Sequence, residues 1–167
     1  DWKAAAQAYG KLIRKQQGQG EDYLGSLLET RIERGLARLQ DGDLDGALAD
    51  FSAAGAHSRG ALGTALLEAK VYFLKNRVSR AEQTFLELYE AMPGAASGAA
   101  AMAIADTYRE LGEYRLALTW LGRADRSPAQ LCLKAEILRH LPDAAGALTA
   151  AREAVDTDPG SLLAKLA

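Results

Sequence analysis

Apolar and polar residues recur along this chain with the spacing of amphipathic helices, and short polar breaks rich in Gly, Asn or Pro interrupt them at regular intervals. Four segments share one frame. The clearest holds Ala105, Tyr108 and Leu111 in a first periodic stretch, then Gly112-Glu113, then Tyr114, Ala117, Leu118, Leu121 and Ala124 in a second. The same frame holds Gly35, Leu39, Gly42-Asp43, Leu44, Ala47, Leu48, Phe51 and Ala54. It recurs as Ala69, Tyr72, Asn76, Val78, Ala81, Phe85 and Leu88, closing at Pro93. The last copy is Ala135, Leu138, Pro142-Asp143, Ala144, Ala147, Leu148, Ala151 and Ala154, closing at Pro159. The anchoring alanines Ala47, Ala81, Ala117 and Ala147 are 34, 36 and 30 residues apart.

This spacing predicts pairs of antiparallel helices. Two helices of about 13 residues with a tight turn and a connector fill one such period. Small residues sit where the paired helices cross, and the bulky residue one turn beyond each alanine fills the space beside the contact. Gly or Asn in the turn accepts the left-handed backbone that a helix C-terminus often needs. Asp43, Glu113 and Asp143 place a carboxylate at the start of each second helix, where the helix dipole favours it. The expected helices cover 2–16, 22–40, 44–55, 60–75, 78–91, 95–111, 114–124, 128–140 and 144–157. No stretch alternates with the period of a strand.

Period and frame resemble the tetratricopeptide repeat (TPR), a helix pair of about 34 residues. The resemblance implies an all-α, right-handed superhelical solenoid of about four repeats with partial repeats at both ends. Within one array over 1–167, the expected repeats are 22–56, 57–93, 94–126 and 127–159. Residues 1–16 read as the second helix of a truncated repeat, and Ser161–Ala167 after Pro159 as the start of a further first helix. Ends cut within a repeat, without the polar caps of a complete solenoid, suggest a fragment of a longer, bacterial-type array. The frame is broken in three places. Eight extra residues separate Ala5 from Ala47, absorbed around Gln16–Asp22 by a loop or a lengthened helix. The connector Ala54–Gly60 is unusually small. The last unit is four residues short and carries Ala151 where a bulky residue is usual.

Composition narrows the chemistry. Half of the residues are apolar, the charge is −2 with both signs interleaved, and the longest basic cluster is Lys11, Arg14 and Lys15, which reads as a solvated helix face. That footprint argues against nucleic acid as a partner. No apolar run approaches the roughly 20 residues of a membrane span, so no direct insertion by this segment is expected. The single cysteine, Cys132, excludes an internal disulfide framework and is expected to be a buried, inert thiol on an apolar helix.

No catalytic, cofactor-binding or metal-ligating constellation emerges. Asp41-Gly-Asp43-Leu-Asp45-Gly46 copies half of a calcium loop, but Ser52 stands where that loop needs a bidentate glutamate. Gly18-Gln-Gly20 follows no strand and reads as a breaker. His57 and His140 are isolated. Tyr72, Tyr108 and Tyr114 read as packing residues, and Trp120, next to the inward Leu121, as partly exposed.

In tetratricopeptide arrays the first helices line a concave groove. Carried over residue by residue, that resemblance implies groove positions at Leu36, Leu39, Leu66, Lys70, Phe73, Met102, Asp106, Arg109, Cys132, Glu136 and Arg139. A clamp for a terminal carboxylate would need Lys and Asn where Ile32, Leu36, Leu66, Lys70, Met102 and Asp106 stand, and only Lys70 qualifies. An apolar or amphipathic helix suits these residues better. The expected function is therefore a non-catalytic protein–protein interaction scaffold without cofactors. The alternatives are a structural spacer in an outer-membrane exopolysaccharide secretion protein, and self-association through the truncated ends. The expected compartment is the bacterial periplasm or cytoplasm, the periplasm being favoured by that family habit.

Overall fold

Each helix in this chain stops where its backbone has a way to turn back. The computed structural model describes residues 1–17, 24–56 and 62–157. Over these it has α1 (Trp2–Gln16), α2 (Leu24–Asp41), α3 (Leu44–Gly55), α4 (Leu62–Leu74), α5 (Val78–Ala91), α6 (Ala95–Glu110), α7 (Tyr114–Leu121), α8 (Pro128–Arg139) and α9 (Ala144–Thr157). Among the described residues every regular element is helical, as expected. The Gln16–Asp22 break, Gly18-Gln-Gly20, His57 and the expected helix after Pro159 fall wholly or partly outside them.

Three hairpin turns use one device. Gly42, Asn76 and Gly112 have positive φ, at 84°, 57° and 80°, and each stands five residues before an anchoring alanine. Asp43 N donates to Arg38 O at 2.9 Å and Gly42 N to Leu39 O at 3.2 Å. Arg77 N to Tyr72 O and Asn76 N to Phe73 O repeat the pair, as do Glu113 N to Tyr108 O and Gly112 N to Arg109 O. These double closures satisfy the last carbonyls of the first helix while reversing the chain. The fourth copy has Pro142 in that register, and its ring holds φ near about −65°. There the helix ends on His140 N to Ile137 O and Leu141 N to Leu138 O, both 3.1 Å, with Asp143 N on Leu141 O.

The next helix is then capped from the turn. Asp43 Oδ1 and Asp143 Oδ1 accept from Gly46 N and Gly146 N, each at 2.9 Å. Glu113 occupies the same N-cap place but makes no side-chain hydrogen bond there. Its longer side chain overshoots the amides that aspartate reaches, leaving only the dipole interaction expected of it. α7 ends at Leu121, three residues before the expected limit, because Gly122 caps it and Ser127 with Pro128 opens α8.

The chain forms two compact units, Asp1–Leu88 and Tyr89–Ala167. In the first, α1 packs on α2, α2 on α3 and α3 on α4. Ala47, Phe51 and Val71 form a closed core, with Leu36, Leu39, Leu44, Leu48 and Leu67 around it. Gly35 lets α2 approach α3: a Cβ there would stand 2.5 Å from Phe51 Cε1. Beside this core Asp50, only 2% exposed, binds two arginines. Arg34 donates through Nε to Oδ2 at 2.8 Å and through Nη2 to Oδ1, while Arg38 Nη1 reaches Oδ2 at 2.9 Å and Gly46 O at 3.1 Å. Removing either arginine from so buried a carboxylate would leave it without a full set of partners.

In the second unit α6 packs on α7, α7 on α8 and α8 on α9, and α6 also meets α8. Its core is assembled from small and large residues alternately: Ala101, Ala105 and Ala117 with Ile104, Tyr108, Leu121 and Ile137, all buried. A second cluster, Leu138, Ala147 and Ala150, receives Leu118 from α7 together with Ala135 and Leu141.

Two stability measurements follow. Gly35→Ala overpacks the Phe51 ring and should cost about 1–3 kcal/mol in chemical denaturation; an unchanged midpoint would mean that the helices separate freely. Glu68 on α4 has its carboxyl pushed above the ordinary value of 4.5 by burial, opposed by a hydrogen bond to Ser52 and by the Arg80 charge. The fold therefore binds this proton more tightly than the unfolded chain, so its contribution to stability declines as pH rises from about 4.5 through the raised value. Asp45 acts oppositely. Its hydrogen bond and charge contact with Lys75 lower its value below 3.8, but it is fully exposed and carries little weight. Glu68→Gln keeps an acceptor for Ser52, so its melting temperature should exceed the parent's at pH 7 and converge with it below pH 4.5.

Candidate partner-binding site

The expected groove residues take different roles in the two units. In the first, Leu36 and Leu39 on α2 are half-buried against the Ala47–Phe51–Val71 core, so packing uses much of their surface. Leu66, Lys70 and Phe73 on α4 are also half-buried, and their spacing of four and three sets them along one face.

In the second unit the structure joins several of them directly. Met102, Asp106 and Arg109 follow one another along α6, all half-buried. Arg109 donates through Nε to Asp106 Oδ1 at 2.7 Å, and its Nη2 lies 2.6 Å from the same oxygen. Its Nε also lies 3.9 Å from Glu136 Oε2 on α8. The hydrogen bond to Asp106 raises the Arg109 pKa above its ordinary value, against a smaller effect of burial. This strip is thus largely self-neutralised.

Cys132, Glu136 and Arg139 line a hollow of about 890 Å³ formed with α9. Its origin lies in the repeat. The place four residues after each anchoring alanine holds Phe51, Phe85 and Leu121, at most 1% exposed, but Ala151 in the last copy. Ala151 is half-buried and the missing volume is open. Around it Leu148 is 53% and Val155 37% exposed. Arg139, Arg152, Glu136 and Asp156 put charges of both signs on the rim.

Leu148 occupies the register of Leu118, which in α7 packs against the following hairpin. These α9 residues were missed from sequence. Ala151 carries the signal in the sequence, as a departure from the frame on a second helix, whereas the resemblance places groove residues on first helices.

Other expectations are refined. Cys132 is not buried: it is half-buried at the hollow, because the bulky neighbour that would cover it is absent. Tyr108 is core, while Tyr72 is half-buried beneath the Arg80 guanidinium at 5.7 Å. Tyr114 is also only half-buried, stacked on the exposed His140 with centroids 4.6 Å apart. Half-buried Trp120 meets Tyr89 edge-on, and Arg123 sits 4.5 Å from the centre of the indole. In the calcium-like stretch, Asp43 caps α3 and Asp45 bonds Lys75. No described helix is long and apolar enough to cross a membrane.

Filling the hollow gives a direct check of its origin. Ala151→Leu should stabilise the protein by about 0.5–2 kcal/mol, read as a rise in melting temperature. A fall would mean that another group already occupies the space.

No family model and no curated protein matches the chain. A solved structure titled "MamA MSR-1 C2" superposes with a TM-score of 0.50, covering 95% of this chain and 91% of that one at 15% identity. That neighbour is a TPR-like helical solenoid. The repeated hairpins described above are the same architecture, so this chain has an all-α, TPR-like solenoid fold.

Proposed function

We propose that this chain is a non-catalytic protein-interaction scaffold that holds an amphipathic helix of a partner protein. The observation that carries the reading is the α8–α9 hollow, where Leu148 and Val155 are exposed around a volume that other copies of the repeat fill. A helix with an apolar stripe would cover them, and the two-signed rim suits polar flanks of either charge. The register of Leu148 supports a helical occupant, since Leu118 at the same place meets helices. The faces of α4 and α6 bearing Phe73 and Met102 offer further anchors of the kind that dominate such interfaces.

Affinity capture with the intact protein tests this against two variants, Leu148→Asp and Phe73→Glu. Loss of captured partners with Leu148→Asp, at unchanged helicity in circular dichroism, is the expected result. Equal capture by the parent and both variants would sink the assignment. Light scattering over a concentration series separates the remaining occupant: a dimer abolished by Leu148→Asp would make it a second copy of this chain.

A further inference from the structure

The first unit carries a second hollow, of opposite character. Gln16 Nε2 donates to Ser26 Oγ at 2.6 Å, and Gly10 lies beside the guanidinium of Arg34, so α1 and α2 run antiparallel. Between them is a space of about 500 Å³ whose walls are charged. Lys3, Lys11 and Arg14 line it from α1, and Arg34 and Arg38 from α2. Lys3, Lys11 and Arg14 have no ion-pair partner among the described residues.

Two of the cations are held in place. Asp50, buried beneath them, takes Nε and Nη2 of Arg34, which leaves the Nη1 edge beside Gly10 on the wall of the hollow. Arg38 is held by the same carboxylate and by Gly46 O. Their order is maintained from inside the fold, so an anion arriving at the hollow meets guanidinium groups already oriented. The whole chain carries a charge of −2, and this concentration of positive charge runs against it.

The hollow is not positive throughout. The antiparallel register sets Asp41 opposite Lys3, and Asp43 lies at the same end. A polymer with a negative charge on every unit would meet those carboxylates. Asp43 is already engaged, its Oδ1 by Gly46 N and its Oδ2 3.6 Å from Arg38 Nε. A polypeptide can therefore place acidic side chains over Lys11, Arg14 and Arg34 and turn a lysine, a hydroxyl or backbone N–H groups toward Asp41. The helix from Lys3 to Arg14 rises about 16 Å, which matches about five residues of extended peptide.

We propose that this α1–α2 hollow recognises an acidic polypeptide segment, with its glutamate or aspartate side chains over the Lys11–Arg14–Arg34 end. The site is independent of the α8–α9 hollow and differs from it in unit and in chemistry. Binding there is electrostatic and weakens as salt screens it.

The test uses the full chain and a fluorescein-labelled peptide with a run of glutamates followed by Gly-Ser-Lys, read by anisotropy. Expected is saturable binding that falls with salt and weakens at least about tenfold in Lys11→Glu/Arg14→Glu. Both residues are exposed and circular dichroism monitors the fold. Arg115→Glu, an exposed position on α7 in the other unit, should bind as the parent does. The proposal is overturned if the parent does not saturate, if a glutamine-substituted peptide binds equally, or if the double variant is unaffected. Tighter binding of an oligothymidine strand, or displacement of the peptide by an equal concentration of inorganic phosphate, would overturn the peptide assignment.

Discussion

The close crossing of paired helices at an alanine is the constraint on which the remaining features depend. Ala47, Ala81 and Ala117 are completely buried, which happens only where a second backbone lies nearly in contact with the first. Such an approach demands a turn of fixed length, and the positive-φ residue five places earlier supplies it three times with the same two hydrogen bonds. It also fixes what comes after. One helical turn beyond the alanine the helices diverge, and Phe51, Phe85 or Leu121 fills the gap. Alanine, turn and bulky residue form one geometric unit, and a change in one is felt by the others.

That coupling explains why the fold was legible in the sequence. Seven of the nine helices among the described residues begin where periodicity placed them, because Gly42-Asp43, Asn76, Gly112-Glu113 and Ser127-Pro128 are local signals with local mechanisms; the described starts of α2 and α4 adjoin residues outside the described set. What was not legible depends on partners far apart in the chain. Arg34, Arg38 and Asp50 look like ordinary surface charges on two amphipathic helices. Only when α2 and α3 pair does Asp50 turn inward and require both arginines. The Lys11–Arg14 cluster likewise read as a solvated face, and its meaning changed when α2 brought Arg34 to the same hollow.

The candidate binding residues divide along the same line. Spacing alone puts Leu66, Lys70 and Phe73 on one helical face, but it does not say how much of Leu36 and Leu39 the core consumes. Nor does it reveal that Asp106, Arg109 and Glu136 satisfy one another across two helices. A charged strip that neutralises itself offers a partner less than its composition suggests, since binding must first replace contacts already made. Among the described residues the exposed apolar surface around Leu148 has no such competitor.

The last copy of the repeat departs from the frame twice, at Pro142 and at Ala151, and both departures fall on one hairpin. Proline forbids the left-handed turn, so α8 and α9 are joined by a different closure. Alanine leaves the space beyond the crossing unfilled. Either change alone would be a modest defect in its hairpin. Together they leave the α8–α9 pair packed around Leu138, Ala147 and Ala150 on one side and open along the hollow on the other, with Leu148 and Val155 exposed. On the proposed reading, this hairpin gives up packing for a surface that a partner helix completes.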